Sequence, residues 1–124
     1  MYRWRSERGA VAVEFGLLLP LFLVLFLCII EFGRAYNAQV SVTHAAREAA
    51  RTMAITGVWS EAEKVAKDSA PSLDPASLSL SNTPVACTPG SSVSVAASYK
   101  FDFVSGFFGN DIDITGKAAM QCGG

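Results

Sequence analysis

A run of apolar residues near the N-terminus constrains this chain more than any other feature. Between Ala10 and Ile30 the only charged residue is Glu14. As an α-helix rising about 1.5 Å per residue, the run is roughly 30 Å long, which matches the hydrocarbon thickness of a bilayer. Apolar side chains would cover every face of this helix, whereas a helix on the surface of a soluble domain keeps a polar face. The sequence therefore predicts one membrane-spanning helix over residues 10–30.

The charges in front of this helix predict its orientation. Arg3, Arg5 and Arg8 precede it and are opposed by Glu7 alone. Cytoplasmic flanks of membrane helices are enriched in Lys and Arg, so we expect the N-terminus in the cytoplasm and the C-terminal part outside. The 124-residue chain has a net charge of −1 and no basic patch, which argues against a nucleic-acid partner.

A cleaved secretory signal peptide is an alternative interpretation, because Gly33-Arg34-Ala35 has the small-x-small form of a cleavage site. Three features oppose it. The apolar run is longer than the hydrophobic region of about 7–15 residues typical of signal peptides, and Glu14 lies inside it. The helical pattern also continues past the triplet. Cleavage at Ala35, which would release a soluble domain, is therefore the weaker alternative.

Helical periodicity continues beyond the predicted span. Nothing between Gly33 and Gly57 stops a helix, so an extension is predicted over residues 31–56, with Gly57 ending it. Along this extension the sequence shows helical spacing in which only Gln39 breaks the apolar pattern. The apolar positions are Phe32, Ala35, Tyr36, Val42, Ala46, Ala49, Ala50 and Met53.

The remaining residues, 57–124, predict a small α+β domain. A short helix is expected at about residues 61–70, with Ser60 and Glu63 forming a capping box at its start. Its inward-facing residues are expected to be Ala62, Val65 and Ala66. Three segments of alternating polarity then predict an antiparallel sheet with one solvated face; they begin at Ser77, Val93 and Ile112. The predicted fold is thus α+β, with a long N-terminal helix, a short helix and three antiparallel strands.

Two connections and a cysteine pair complete this outline. Thr88-Pro89-Gly90 predicts a turn. The apolar segment from Phe101 to Phe108 is expected to cover one end of the sheet with its aromatic rings, and an exposed contact patch is the alternative. Cys87 and Cys122 would be able to form a disulfide in an oxidising compartment. Two separate thiols remain the other possibility.

Residues with catalytic or metal-binding chemistry are scarce. The one histidine, His44, lies on the predicted helical extension, and no cluster of His and Cys has metal-ligand spacing. Asn110 to Asp113 offers oxygen atoms to calcium but lacks the other ligands of an EF-hand loop, so a turn with two solvated acids is expected. Phosphate-binding and nucleophile motifs are absent from the sequence. We expect a protein that is not an enzyme and uses no cofactor or metal.

Glu14 has two interpretations, since a carboxylate inside a membrane helix costs free energy. In the functional one, cleavage after Gly9 leaves an ammonium group on Ala10, and Glu14 of one subunit faces that group on its neighbour. Unpaired charges are costly in a low dielectric, so such a pair would set the register of packed helices. In the structural one, the carboxylate reaches back to the cytoplasmic headgroups. The residues alone favour neither.

Residues 8 to about 53 resemble the TadE-like pseudopilins (TadE, TadF and TadG) of tight-adherence, or Tad/Flp-type, pilus systems. Four features carry the resemblance together: the RGAVAVEF start, the proline in the span, the IIEFGRA exit and the AAREAAR run. The rest of the chain is similar only in outline, as a Ser-rich segment of alternating strands. The major Flp pilin shares the cleavage pattern but is much shorter and has no outer domain.

The resemblance implies a minor, pilin-like component of a pilus assembly and secretion machine, anchored in the bacterial inner membrane with its outer domain periplasmic. Residues 1–9 would be a basic leader that a prepilin peptidase removes after Gly9. Ala10 would then start the mature chain, with Glu14 at its fifth position and the aromatic Phe15 next. The implied partners are the peptidase, other pseudopilins, the major Flp-type pilin, inner-membrane assembly proteins and the lipid bilayer.

A signal-anchored binding module that never enters a pilus is the competing hypothesis. The two hypotheses differ over Glu14. Its replacement by Gln or Ala should abolish pilus assembly or partner co-purification for an assembly component. For a binding module the same replacement should change little beyond membrane insertion.

Overall fold

The computed structural model describes residues 2–106 and 109–123, and only the backbone of residues 2–6. It confirms the α+β class and the three-stranded antiparallel sheet. Its elements are α1 (Tyr2–Thr56), α2 (Trp59–Asp68), a short 3-10 turn (Pro75–Ser77), β1 (Leu78–Thr83), β2 (Ser92–Asp102) and β3 (Asp111–Gln121). The chain forms two compact units, Met1–Gly33 and Arg34–Gly124.

The first unit is helical and exposes its apolar side chains. Except for Leu27, the large apolar residues from Val11 to Ile30 are 41–74% exposed. Burying apolar surface is worth about 25 cal/mol per Å², so a helix of this kind requires lipid or other helices around it. Pro20 lies inside the helix without ending it. By length and composition α1 is the one helix in the described part of the chain able to cross a membrane.

The second unit packs one face of the sheet against the outer part of α1, which comprises residues 34–56. The strands follow the order β1-β2-β3, and their register places Leu78 opposite Tyr99 and Phe101 opposite Ile112. Small residues on α1 allow the sheet to approach closely. The buried residues of this part of α1 are Ala38, Val42, Ala45, Ala46, Ala49, Ala50, Met53 and Ala54. The sheet contributes Leu78, Val93, Val95, Ala97, Phe101 and Ile114, and α2 contributes Ala62 and Ala66.

The buried face of α1 differs in part from the predicted one. Phe32 and Tyr36 were predicted to join the apolar face, but they are 64% and 73% exposed. Ala38, which was not predicted, is buried instead, whereas the predicted Ala46, Ala49 and Ala50 are buried as expected. The helical period was correct, but the sheet selects the helix face with the smallest side chains, because only that face permits close approach.

The start of α2 also differs from the prediction. The helix begins at Trp59 with Val58 as N-cap and has no side-chain cap, so the predicted capping box of Ser60 and Glu63 is wrong. The reason lies in the preceding connection. Gly57 ends α1 as predicted, with φ of +69° and its N–H bonded to Met53. A single residue then separates Gly57 from α2, which leaves Ser60 inside the first turn. Of the predicted inward residues, Ala62 and Ala66 are buried but Val65 is 36% exposed.

The connections between the strands test two of the sequence predictions, the turn at Thr88-Pro89-Gly90 and the aromatic segment from Phe101 to Phe108. The turn at Thr88-Pro89-Gly90 is confirmed, since the N–H of Ser91 donates to the Thr88 carbonyl at 3.1 Å. Within the aromatic segment, Phe101 is buried at the end of β2, whereas Val104 is 71% exposed. Phe107 and Phe108 lie outside the described residues, so the structure does not test their predicted role.

Candidate functional site

The sequence-predicted site lies near the start of α1. Gly9, Ala10, Glu14 and Phe15 are all helical and exposed. A side chain added at Gly9 would meet no atom within 4 Å, so this position is open to another protein. Because residues four apart share a helix face, Ala10 and Glu14 lie one turn apart, about 6 Å along the axis. The structure thus places the predicted cleavage point and the carboxylate on neighbouring exposed turns of one helix.

Glu14 projects from an otherwise apolar surface. Its neighbours Val13 and Phe15 are 64% and 62% exposed. Among the described residues the structure gives it no ion pair within its own chain. The described side chains of the chain therefore supply no charge-balancing group for Glu14.

The outer part of α1 positions the sheet through a contact that allows no side chain. A Cβ placed on Gly116 of β3 would lie 2.9 Å from the Cα of Thr43 and 3.0 Å from its nitrogen. Beside it, the Gln39 amide donates to the Thr115 carbonyl at 2.8 Å and to the Thr43 hydroxyl at 3.2 Å. Gln39, the exception in the apolar pattern, therefore binds the backbone of β3 to the helix.

Sequence reasoning missed this contact, although two signals were present. One was a glycine inside an alternating strand, which marks a close backbone approach. The other was a long polar side chain within an apolar helix face. Gly116 and Gln39 each supplied one of these signals.

A disulfide closes the far end of the second unit. It joins Cys87, in the connection between β1 and β2, to Cys122 just after β3. Two backbone hydrogen bonds extend this closure, from Cys122 to the Ser91 carbonyl at 2.7 Å and from Gly123 to the Ala54 carbonyl at 3.1 Å. The end of β3, the β1–β2 connection and the last turns of α1 are thus held together.

The other end of the second unit is polar and charged. The Lys100 ammonium lies 3.0 Å from the Asp111 carboxylate. The hydrogen bond from Lys100 to Asp111, together with the charge of that carboxylate, raises the pKa of Lys100 above its ordinary value. Asp111 and Asp113 are both exposed. The described residues contain no group of three or more His, Cys, Asp or Glu side chains able to hold a metal ion.

A shallow cleft of about 290 Å³ opens at this same end, between the start of the outer part of α1 and the end of β2. Arg34 and Asp102 both line it. Its walls carry hydroxyl, amide and charged side chains, and the Ser77 hydroxyl donates to the Asp74 carboxylate there at 3.5 Å.

The sequence model of the TadE-like protein family matches residues 9–51. The match begins at Gly9 and covers the span and most of the outer part of α1, which confirms the resemblance seen in the sequence. The N-terminal region of the chain is therefore TadE-like, which indicates a component associated with Tad pili. No curated protein and no solved structure matches the chain.

Proposed function

We propose that this protein is a minor pilin-like subunit, or pseudopilin, of a Tad/Flp-type pilus assembly machine. Residues 10–30 anchor it in the bacterial inner membrane, and its α+β domain lies on the periplasmic side. One observation carries the proposal: the TadE-like sequence begins on a helical segment, residues 11–30, that leaves nearly all of its large apolar side chains exposed. The protein acts by assembly with other subunits and catalyses no reaction.

Packing of these helices explains the exposed surface. Helices in a bilayer associate through close packing and through polar contacts, because lipid provides no hydrophobic drive between them. Gly16 leaves open space on the helix, with nothing within 4 Å of an added Cβ, so another backbone has room to approach there. The neighbours we propose are other pseudopilins and the major Flp-type pilin, with inner-membrane assembly proteins at the base.

Glu14 sets the register of this packing. After removal of residues 1–9, the ammonium group of Ala10 on one subunit faces Glu14 on the next. Two unit charges 4 Å apart attract by about 4 kcal/mol at an effective dielectric of 20. A subunit displaced along the axis leaves both charges unpaired, which is costly away from water. The pair therefore selects the staggered arrangement over all others.

Processing after Gly9 is tested by intact mass of the membrane-extracted chain after co-expression with a prepilin peptidase. We expect a mature chain that lacks residues 1–9. Gly9→Val should retain the leader, because the peptidase requires a position without a side chain. Gly16→Val is the matched control, a second open glycine on the same helix, and it should be processed normally. A wild-type chain that still begins at Met1 would contradict the proposal.

A further inference from the structure

The connection between β2 and β3 lies beside the first turn of the second unit. The Arg34 guanidinium is 5.1 Å from the centre of the Phe101 ring. The Phe101 ring in turn packs edge-on against Phe103, with 5.4 Å between ring centres. The N–H of Phe103 donates to the Asn110 carbonyl at 3.4 Å, which closes the base of the connection. Arg34, the end of β2 and the β2–β3 connection therefore form one continuous set of contacts.

This connection presents an apolar side chain to the surroundings. Val104 follows Phe103 directly and is 71% exposed. The sequence has no charged residue between Asp102 and Asp111. A single exposed valine is ordinary on a protein surface. Its meaning here comes from the position of the connection along the chain.

Chain connectivity places this connection near the membrane. Arg34 follows Ile30, the last residue of the predicted span, by four residues. Four residues advance about 6 Å in a helix and at most about 14 Å when extended. The headgroup layer on each side of a bilayer is several Å thick, so Arg34 and its contacts begin within or just above it.

The far end of the same unit provides an internal comparison. Ala54 lies 20 residues beyond Arg34, about 30 Å along a helix. Val85, in the β1–β2 connection, is 82% exposed and adjoins this end through the disulfide at Cys87. The two valines are therefore similarly exposed, but they stand at opposite ends of an antiparallel sheet.

We propose that Val104, in the described first half of the β2–β3 connection, inserts into the outer surface of the bilayer and docks the domain there. The inference rests on the proposed membrane anchoring of residues 10–30. The partner is a zwitterionic lipid surface rather than an anionic one, because Asp102 and Asp113 are exposed beside the connection and Asp111 already engages Lys100. The docked domain turns its disulfide-closed end away from the membrane.

The test introduces a tryptophan at each exposed valine of the full-length chain. Val104→Trp and Val85→Trp are reconstituted in zwitterionic vesicles whose acyl chains carry bromine, a contact quencher. The wild-type emission from Trp4 and Trp59 is subtracted. We expect the added emission at position 104 to shift to the blue and to lose most of its intensity to bromine. The added emission at position 85 should resemble tryptophan in water and resist quenching.

Three results would overturn the inference. Emission at position 104 that is unshifted and unquenched, in a chain that floats with the vesicles, contradicts the docking alone and leaves the anchor intact. Equal quenching at both positions contradicts the assignment to this end of the domain. A chain that fails to float with the vesicles contradicts both the docking and the proposed function.

Discussion

The two parts of α1 solve opposite problems with the same secondary structure. Residues 11–30 carry large apolar side chains and leave them exposed. Residues 34–56 carry alanines on one face and bury them under a sheet. The first part relies on an environment that other molecules provide. The second part lets its own chain come close by having little side chain in the way. Side-chain size, as much as hydrophobicity, therefore decides which part anchors and which part forms the core.

Loss of the disulfide should have the largest effect, and only on the second unit. The sequence separation of 35 between Cys87 and Cys122 gives a loss of unfolding free energy of about 3–4 kcal/mol in the double Ser variant. Urea unfolding of the full chain in detergent, followed by the fluorescence of partly buried Trp59, measures it. Cys28→Ser in the span is the control and should leave the transition unchanged. If Cys28→Ser lowered the unfolding free energy as much as loss of the disulfide does, the measured transition would not belong to the second unit alone.

The second largest effect is expected from a larger side chain, which should destabilise the buried outer part of α1 but not the exposed span. Ala49 is fully buried beneath the sheet, so Ala49→Leu should cost about 1–3 kcal/mol of unfolding free energy. Val24 is 47% exposed in the span, and Val24→Leu should leave that transition where it is. The same Trp59 measurement serves both variants. A neutral Ala49→Leu would mean that the sheet does not pack tightly on this face.

Replacing a glycine by alanine should lower stability in the second unit but should not lower it in the membrane-spanning part of α1. Gly116→Ala forces the strand away from Thr43 and should destabilise the second unit by about 1–2 kcal/mol. Gly16→Ala meets no atom and should leave the helix as stable or up to about 1 kcal/mol more so. Urea unfolding reports the first change, and thermal loss of helical circular dichroism reports the second. A stabilising Gly116→Ala would contradict the close contact.

The Lys100–Asp111 pair should give the smallest effect, through pH. Folding raises the pKa of Lys100. The stabilisation that the pair adds to the folded state is therefore complete below the ordinary pKa of 10.5, and it disappears as the pH rises through the higher pKa of the folded state. Wild type should therefore lose slightly more stability than Asp111→Asn as the pH passes this range. The urea midpoints of the two proteins as a function of pH make the comparison. Parallel curves would show that the pair contributes nothing.

Much of this fold followed from local patterns in the sequence. The span, the end of α1 at Gly57 and the three strands each rest on a few adjacent residues. The alanine face followed in part, since the predicted Ala46, Ala49 and Ala50 are buried. The exposure of Phe32 and Tyr36 did not follow, because both are more hydrophobic than Ala38 and the pattern carries no information on how close the sheet comes. The start of α2 was missed for a similar reason. A capping motif at Ser60 was outweighed by the short connection before it.

The candidate site was predicted only as far as one chain can define it. Gly9 and Glu14 stand out in the sequence because a glycine and a carboxylate are unusual at the start of an apolar helix. The structure adds their shared exposure on neighbouring turns. The opposite charge that the account requires belongs to a neighbouring subunit, which neither one sequence nor one chain contains. From the sequence, the pairing of Cys87 with Cys122 depended on whether the domain lies in an oxidising compartment. The structure shows that the fold brings the two cysteines together.

A double-mutant cycle on the proposed charge pair tests the central claim most directly. The quantity measured is the amount of other pilin-like subunits that co-purify with the full chain from membranes. Glu14→Gln removes the carboxylate, and uncleaved Gly9→Val removes the ammonium group. We expect each to lower recovery about tenfold or more, equivalent to about 1.4 kcal/mol, with the double variant no worse than either one. Unchanged recovery with Glu14→Gln, or effects that multiply in the double variant, would contradict the account.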